Sequence, residues 1–321
     1  MGVPGLNRYV RQHYKGCMRT ICLQELTGKV ITVDASIYMY RFLTDNSLLE
    51  GVFQLSSVMH SLGVKMLFVF DGPPPPQKAD TLKARAESRR EAIQQLSEIE
   101  DLLETEESPR KVTELRSQLY EAKKKSIRVD RTHVRQVREL LDSMGVPHVE
   151  AEGEADGLCV KLVQKGKAYA CLSEDMDMFV YGCPRVLRYL SMLNRTVVLY
   201  DSNTMLEEMN VTFIEFQQIC ILCGTDYTKS NEPSVTLEAA VSMLQEYKKL
   251  EEAARGEGFL EWLESETQFV NNALDLYVTQ CMFELRNYQI PKNCPNLQTW
   301  NYVCDREKVE AILAKEGFIF L

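Results

Sequence analysis

Two stretches, KVITVDAS at 29–36 and MLFVFDG at 66–72, decide the reading of this chain. Each is a short apolar run rich in β-branched or aromatic residues. Each closes on an acid, Asp34 in the first and Asp71 in the second. Runs of this length without polar alternation are the pattern of strands buried on both faces of a parallel sheet. In open α/β sheets the chemistry collects outside the carboxyl ends of such strands. Asp34 and Asp71 are therefore candidates for a site at that edge.

Working outward, PPPP at 73–76 breaks the chain, and the composition then changes sharply. From about Lys78 to Val137 the sequence is charged, helical in spacing and almost without glycine, with a turn expected at Glu106–Pro109. A segment this polar is no core. It reads either as a solvated helical hairpin or as a mobile arch that handles a polyanion. After Met144–Val149 the α/β pattern returns. A helix is expected to begin near Glu154, and a strand to end near Ser173 with acids just after it. VLRYLSM and TVVLY read as a further strand pair, and from Phe213 onward the chain reads as mostly helical. The expected fold class is α/β, a mostly parallel central sheet flanked by helices, with an arch insert and a helical C-terminal region. The regions fall at 1–77, 78–137, 138–227 and 228–321 of one domain.

The chain has 321 residues, 45% hydrophobic and 26% charged, ordinary for a soluble globular protein. No apolar run is long enough to span a bilayer, and no signal-peptide pattern opens the chain. Gly2 is present, but Leu6 stands where a myristoylation motif has Ser or Thr. The ten cysteines show no disulfide spacing and read as reduced thiols of an intracellular protein. Cys220 and Cys223 form a lone CxxC without the further ligands a zinc site needs, so packing is their expected role. The net charge of −9 taken alone argues weakly against nucleic acid. Its distribution matters more than its sum, because acids gathered at a metal site leave bases gathered elsewhere.

The acids that stand out are Asp34, Asp71, Glu154, Asp156, Asp175, Asp177 and Asp226. Singly, each is an ordinary strand-end or helix-cap residue. Together, at the ends of several strands, they would repel one another unless cations sat between them. Carboxylates without histidine suit Mg²⁺, a hard ion that keeps much of its water. Two such ions could prepare a hydroxide and stabilise the leaving oxygen in phosphodiester hydrolysis.

With these residues in view, the sequence resembles the flap endonuclease family of structure-specific 5′ nucleases. The segments that carry the resemblance are MGVPGL, VDASIYMYRFL, FVFDGPPPPQK, EAEGEADGLCVKLVQKGKAYACLSEDMDMFVYG and ICILCGTDY, in the family's order. The match runs through Tyr227 and weakens beyond. It implies a PIN-like nuclease fold and two Mg²⁺ ions, with Mn²⁺ able to substitute. Asp34, Asp71, Glu154 and Asp156 would hold one ion; Asp175, Asp177 and Asp226 the other. Lys78 and Arg85, seven apart on one helix face, would reach the scissile phosphate. Tyr40 would stack on a base beside the cut. Arg89 and Arg90 would add phosphate contacts, and Arg128 and Arg131, in the second arch helix, would guide the 5′ strand. Gly2 would lie near the active site. The implied substrate is branched DNA: a 5′ flap, or a nicked or gapped duplex. A 5′→3′ exonuclease acting on DNA or RNA is the alternative within the superfamily, and a non-catalytic branched-DNA scaffold the alternative outside enzymes.

The sequence also departs from that pattern. Position 156 is usually Glu, and the shorter Asp would reach its ion through water. No glycine lies between Thr228 and Tyr247, where the family grips duplex phosphate and often potassium with a glycine-containing hairpin. Asn231 is the one residue there suited to positive φ. The chain ends in EGFIFL without a Gln-x-x-aliphatic-x-x-aromatic-aromatic box, so sliding-clamp binding through such a box is not expected. The expectation is a divergent, C-terminally trimmed monomer, such as a virus could carry, acting in the nucleus or wherever DNA is replicated.

Overall fold

The two deciding stretches form neighbouring parallel strands. In the computed structural model β2 (Val30–Asp34) pairs with β3 (Lys65–Phe70) so that Asp34 lies opposite Val69. Asp71, just past β3, therefore leaves the sheet at the same edge as Asp34. The structure describes the chain apart from residues 1, 107, 229–234, 252–257, 268, 269, 271, 298, 301 and 321. Asn231 lies outside the described residues.

In chain order, α1 (Leu6–His13) and β1 (Met18–Cys22) precede β2. Then come α2 (Ala35–Thr44), α3 (Leu48–Ser61), β3, α4 (Ala79–Thr105), α5 (Pro109–Ser126), α6 (Arg131–Ser143) and β4 (His148–Glu150). The second half carries α7 (Ala155–Gln164), β5 (Ala170–Leu172), α8 (Asp177–Val180), β6 (Arg185–Ser191), β7 (Thr196–Asp201) and α9 (Ser202–Met209). It ends in α10 (Phe213–Cys223), α11 (Leu237–Lys249), α12 (Phe259–Glu266), α13 (Ala273–Met282) and α14 (Arg306–Ala314). The seven strands run in the order β1-β7-β6-β5-β2-β3-β4. β4, β3, β2, β5 and β6 are mutually parallel, and β7 and β1 close one edge antiparallel. The expected pair VLRYLSM and TVVLY is the β6–β7 hairpin. The two edge strands carry little signal: β4 is three residues long, and β1 buries only Ile21 well.

Apolar side chains fill both faces of the sheet. On one face Leu67 and Val69 pack with α7, α8 and α10, and with Cys220 and Cys223 among them. On the other, Ile31, Val33, Met66 and Phe68 pack under α2, α3 and α6. The helical C-terminal region divides between these faces: α10 to α13 belong to the first, whereas Val309, Ile312 and Leu313 of α14 join the second.

The charged insert is a long antiparallel pair, α4 and α5, that buries only Ala92 and Ala122. It ends sooner than the sequence suggested. Asp130 accepts from the N–H groups of Thr132 and His133 and starts a separate helix, α6, whose Val137, Leu140 and Leu141 enter the core. The placement of Arg128 and Arg131 in the second arch helix is therefore corrected. Arg128 lies in the extended link after α5, and Arg131 is the first residue of α6. Charged residues recur throughout 123–131, so composition alone did not reveal the cap that divides the stretch.

Candidate active site

Each acid of the edge is placed by a local device. Asp34 ends β2 and caps α2, its Oδ1 accepting from Ile37 N at 3.2 Å, while its Oδ2 accepts from Ser173 Oγ at 2.9 Å. Asp71 accepts from Ala155 N at 2.8 Å and from Ser36 Oγ, which fastens the end of β3 to the start of α7. Gly72 sits where a β-carbon would collide with the Ala151 carbonyl, so the loop before α7 can close down on this edge. Asp156 lies in the first turn of α7. Asp175 Oδ1 accepts from Asp177 N at 3.0 Å, which folds the acids after β5 back over the edge.

Crowding of like charge shows in the acidities. Burial, and then the charge of Asp71, push the Asp34 carboxyl up to about 7. Asp156 is raised well above the carboxylate range by burial and then by Asp34, Asp175, Asp71 and Glu154. Asp177 is raised by burial and then by Asp175 and Asp226. Asp175 thus faces both groups of acids. Asp226 is the exception. Burial works against its charge, but Lys78 at 2.9 Å and Arg85 at 2.6 Å hold it below the ordinary value. Lys78 also pairs with Glu154, and Thr81 Oγ donates to the Asp226 carbonyl. Three side chains from the root of the arch are thereby tied to this cluster.

Gly2 lies against the same acids. A β-carbon there would collide with Asp175 Oδ1 and Asp177, and its φ is 81°. Tyr40 is half-exposed on α2, the helix that Asp34 caps. Arg89 is half-buried on α4 with an unpartnered Nε, and Arg90 is exposed. Arg128 and Arg131 are exposed and line an open cleft of ≈ 1500 Å³ that begins at Asp71 and Pro73. Glu152, beside the acids in sequence, points to solvent.

The donor set fits a hard cation. It consists of carboxylate oxygens, and Asp177 Oδ1 is buried with no hydrogen-bond partner. As the side chains stand, no three His, Cys, Asp or Glu residues among those described converge on one ion position. Lys78 and Arg85 account for this at Glu154 and Asp226, whose oxygens they hold. Mg²⁺ keeps several waters and needs only one or two carboxylates directly, so the wider spacing suits it.

The XPG N-terminal domain model matches residues 1–92, and the XPG I-region model matches residues 145–226. Flap endonuclease 1-B of Physcomitrium patens is 32% identical over 270 residues, covering 78% of this chain and 74% of that protein. The chain belongs to the flap endonuclease family. It is therefore a nuclease of the XPG type. Flap endonuclease 1 of Chlamydomonas reinhardtii is 33% identical over 246 residues, 71% of this chain, and the match spans 59% of that relative's length. The catalytic core of Rad2 in complex with DNA substrate superposes with a TM-score of 0.65 at 21% identity, over 99% of this chain and 96% of that one. The flap endonuclease-1 from Methanococcus jannaschii gives 0.64 at 22%, over 93% and 90%. Both share the PIN-like fold.

Sequence reasoning passed over the groups that orient the acids. Ser36 and Ser173 could have been found, since each lies within two residues of a named acid in a strand-end motif. Tyr227 follows Asp226 directly, and its hydroxyl donates to Glu154. Tyr288, behind Tyr227, carries no local signal at all.

Proposed function

We propose that this flap endonuclease family member hydrolyses phosphodiesters at 5′ flaps and related branched DNA by a two-metal mechanism. The observation that supports it best is the meeting of carboxylates from five segments at one sheet edge, beneath Lys78 and Arg85 of the arch. Asp34, Asp71, Glu154 and Asp156 would hold one Mg²⁺, and Asp175, Asp177 and Asp226 the second, with Mn²⁺ able to replace either. Bound there, the ions would supply an activated water and charge stabilisation on the leaving oxygen.

The chain's own groups do the rest. Ser36, Ser173 and the Ala155 N–H fix the carboxylates before substrate arrives. Lys78 and Arg85 exchange their carboxylate partners for the scissile phosphate and neutralise the charge that grows on it. Gly2 lets backbone approach the reacting centre where any side chain would intrude. Tyr40 stacks on the base beside the cut, and Arg89, Arg90, Arg128 and Arg131 hold strand phosphates. The enzyme works as a monomer on DNA in the compartment where replication or repair occurs.

A 5′-flap substrate labelled on the flap strand tests the reading. Cleavage near the junction is expected with Mg²⁺ or Mn²⁺, none with chelator, and a blocked 5′ end should be cut as well. Cutting only of free ends would instead identify an exonuclease.

A further inference from the structure

A second layer of side chains stands behind Glu154. Its Oε2 accepts from the Tyr227 hydroxyl. That hydroxyl lies 2.9 Å from the hydroxyl of Tyr181, which lies 2.8 Å from that of Tyr288. A phenol has one hydrogen to donate, and an ionised carboxylate only accepts. Tyr227 directs its hydrogen to Glu154, so it accepts from Tyr181, which in turn accepts from Tyr288. The three bonds run one way, toward Oε2, and each polarises the next.

Tyr288 comes from the segment after α13, remote in sequence from every acid. Two features of α7 seat it. A β-carbon on Gly157 would collide with the Tyr288 ring, so the glycine opens a notch in α7. Lys161 Nζ, one turn on, donates to the carbonyl of Leu285 at 3.1 Å and to that of Tyr288. Phe283 packs edge-on against Tyr181 and Tyr227, with ring centroids 4.9 and 5.2 Å away. Tyr181 and Tyr227 are themselves buried, so the hydroxyl chain runs through the interior rather than over the surface.

We infer that Tyr227, Tyr181 and Tyr288 are positioning residues that hold the Glu154 carboxylate in place for its cation, which makes the segment from Phe283 to Tyr288 part of the active centre. The inference rests on the ion-binding role proposed for Glu154. With Oε2 anchored, Glu154 loses its rotamer freedom before a cation arrives, and only Oε1 has to exchange Lys78 for the ion. Groups one layer behind a ligand commonly set metal affinity through such orientation.

The test is Mn²⁺ binding to the DNA-free protein, followed by electron paramagnetic resonance, with thermal unfolding as the control for folding. Glu154→Gln and Tyr227→Phe are each expected to weaken Mn²⁺ by about tenfold. Tyr288→Phe should weaken it by a smaller factor, and Gly157→Ala, which pushes the ring away, should reproduce that factor. Because the chain is one relay, Tyr227→Phe/Tyr288→Phe should bind no more weakly than Tyr227→Phe alone. Parent-like affinity in the tyrosine and Gly157 variants, with Glu154→Gln weakened, overturns the relay and leaves the metal reading intact. Full additivity in the double variant also overturns it, since two separate packing effects would add. Parent-like affinity in Glu154→Gln removes the ion-binding role of Glu154 and the relay with it.

Discussion

At the sheet edge, Asp34, Asp175 and Asp177 are 3%, 7% and 4% exposed, and serine hydroxyls and backbone N–H groups hold the carboxylates of this cluster. Facing them, the arch of α4 and α5 buries two alanines and leaves its other side chains half-buried or exposed. Its root is pinned instead by ion pairs from Lys78 and Arg85 to Glu154 and Asp226, with a hydrogen bond from Thr81 to the Asp226 carbonyl. The floor is preorganised by burial, at the cost of mutual repulsion among its acids. The arch is held by contacts that a cation or a phosphate can take over. Rigidity on one side and exchangeable ion pairs on the other suit a site that must admit a polyanion and then close on it.

The sharpest way to break the floor is Asp177→Asn. Asp177 carries the buried unpartnered oxygen and crowds Asp175 and Asp226. The substitution keeps size and removes charge, so cleavage of a saturating flap substrate should fall to background. Repulsion also falls, so without divalent ions the variant should melt above the parent and bind flap DNA at least as tightly. Parent-like turnover would sink the metal assignment. A lower melting temperature would show that repulsion is not what burial of Asp177 costs.

Breaking the arch root should do less. Lys78→Ala or Arg85→Ala removes a group that meets charge developing on the phosphate. Losing one such donor costs about 10²–10³-fold in rate. Single-turnover cleavage should drop by about that order, with the dissociation constant for flap DNA changing much less. Arg85→Lys should recover only part of the rate, because an ammonium is a point charge and cannot present the planar fork of a guanidinium to two phosphate oxygens. If both alanine variants cut at the parent rate on saturating DNA, these cations merely solvate the arch.

The same contrast explains what could be read from the sequence. Asp34 and Asp71 are legible because a doubly buried parallel strand must be apolar throughout, so an acid at its end stands out. EDMD after β5 is legible for the same reason. The arch is legible as composition but not as boundary: charged residues recur on both sides of Ser126 and Ile127 through Arg128 and Arg131, and Asp130 turning to cap α6 marks the division. Tyr288 was not legible, because its role depends on a notch at Gly157 and a clamp from Lys161, contacts that span more than a hundred residues. The edge strand β1 failed for a third reason, since an edge exposed to solvent shows neither apolar continuity nor clean alternation.

Arginines farther from the reacting phosphate should separate affinity from rate. Arg90, Arg128 and Arg131 are exposed, and Arg128 and Arg131 border the cleft that opens at Asp71. Each alanine variant should weaken flap binding by a few-fold while leaving the saturated single-turnover rate nearly unchanged. An arginine that neutralises one phosphate displaces counterions, so its removal should also flatten the salt dependence of binding by roughly 0.7–0.9 in log–log slope. An unchanged slope would mean that the residue touches no phosphate.

The smallest expected effect is that of potassium. A loop that holds both a monovalent cation and a duplex phosphate needs successive backbone groups turned to one side, which positive φ provides most cheaply at glycine. Between Thr228 and Tyr247, in the later part of the link from α10 to α11 and in α11 itself, the sequence has none. Binding of a nicked duplex should therefore be nearly the same in potassium and sodium at equal ionic strength, while depending strongly on total salt in both. The comparison has to be made at matched ionic strength, because counterion release would otherwise mimic a specific effect. A gain confined to potassium would overturn the expectation and locate a cation site that does without glycine. Asn231→Ala would then decide whether that residue supplies the turn, since it is the one between Thr228 and Tyr247 best able to adopt positive φ.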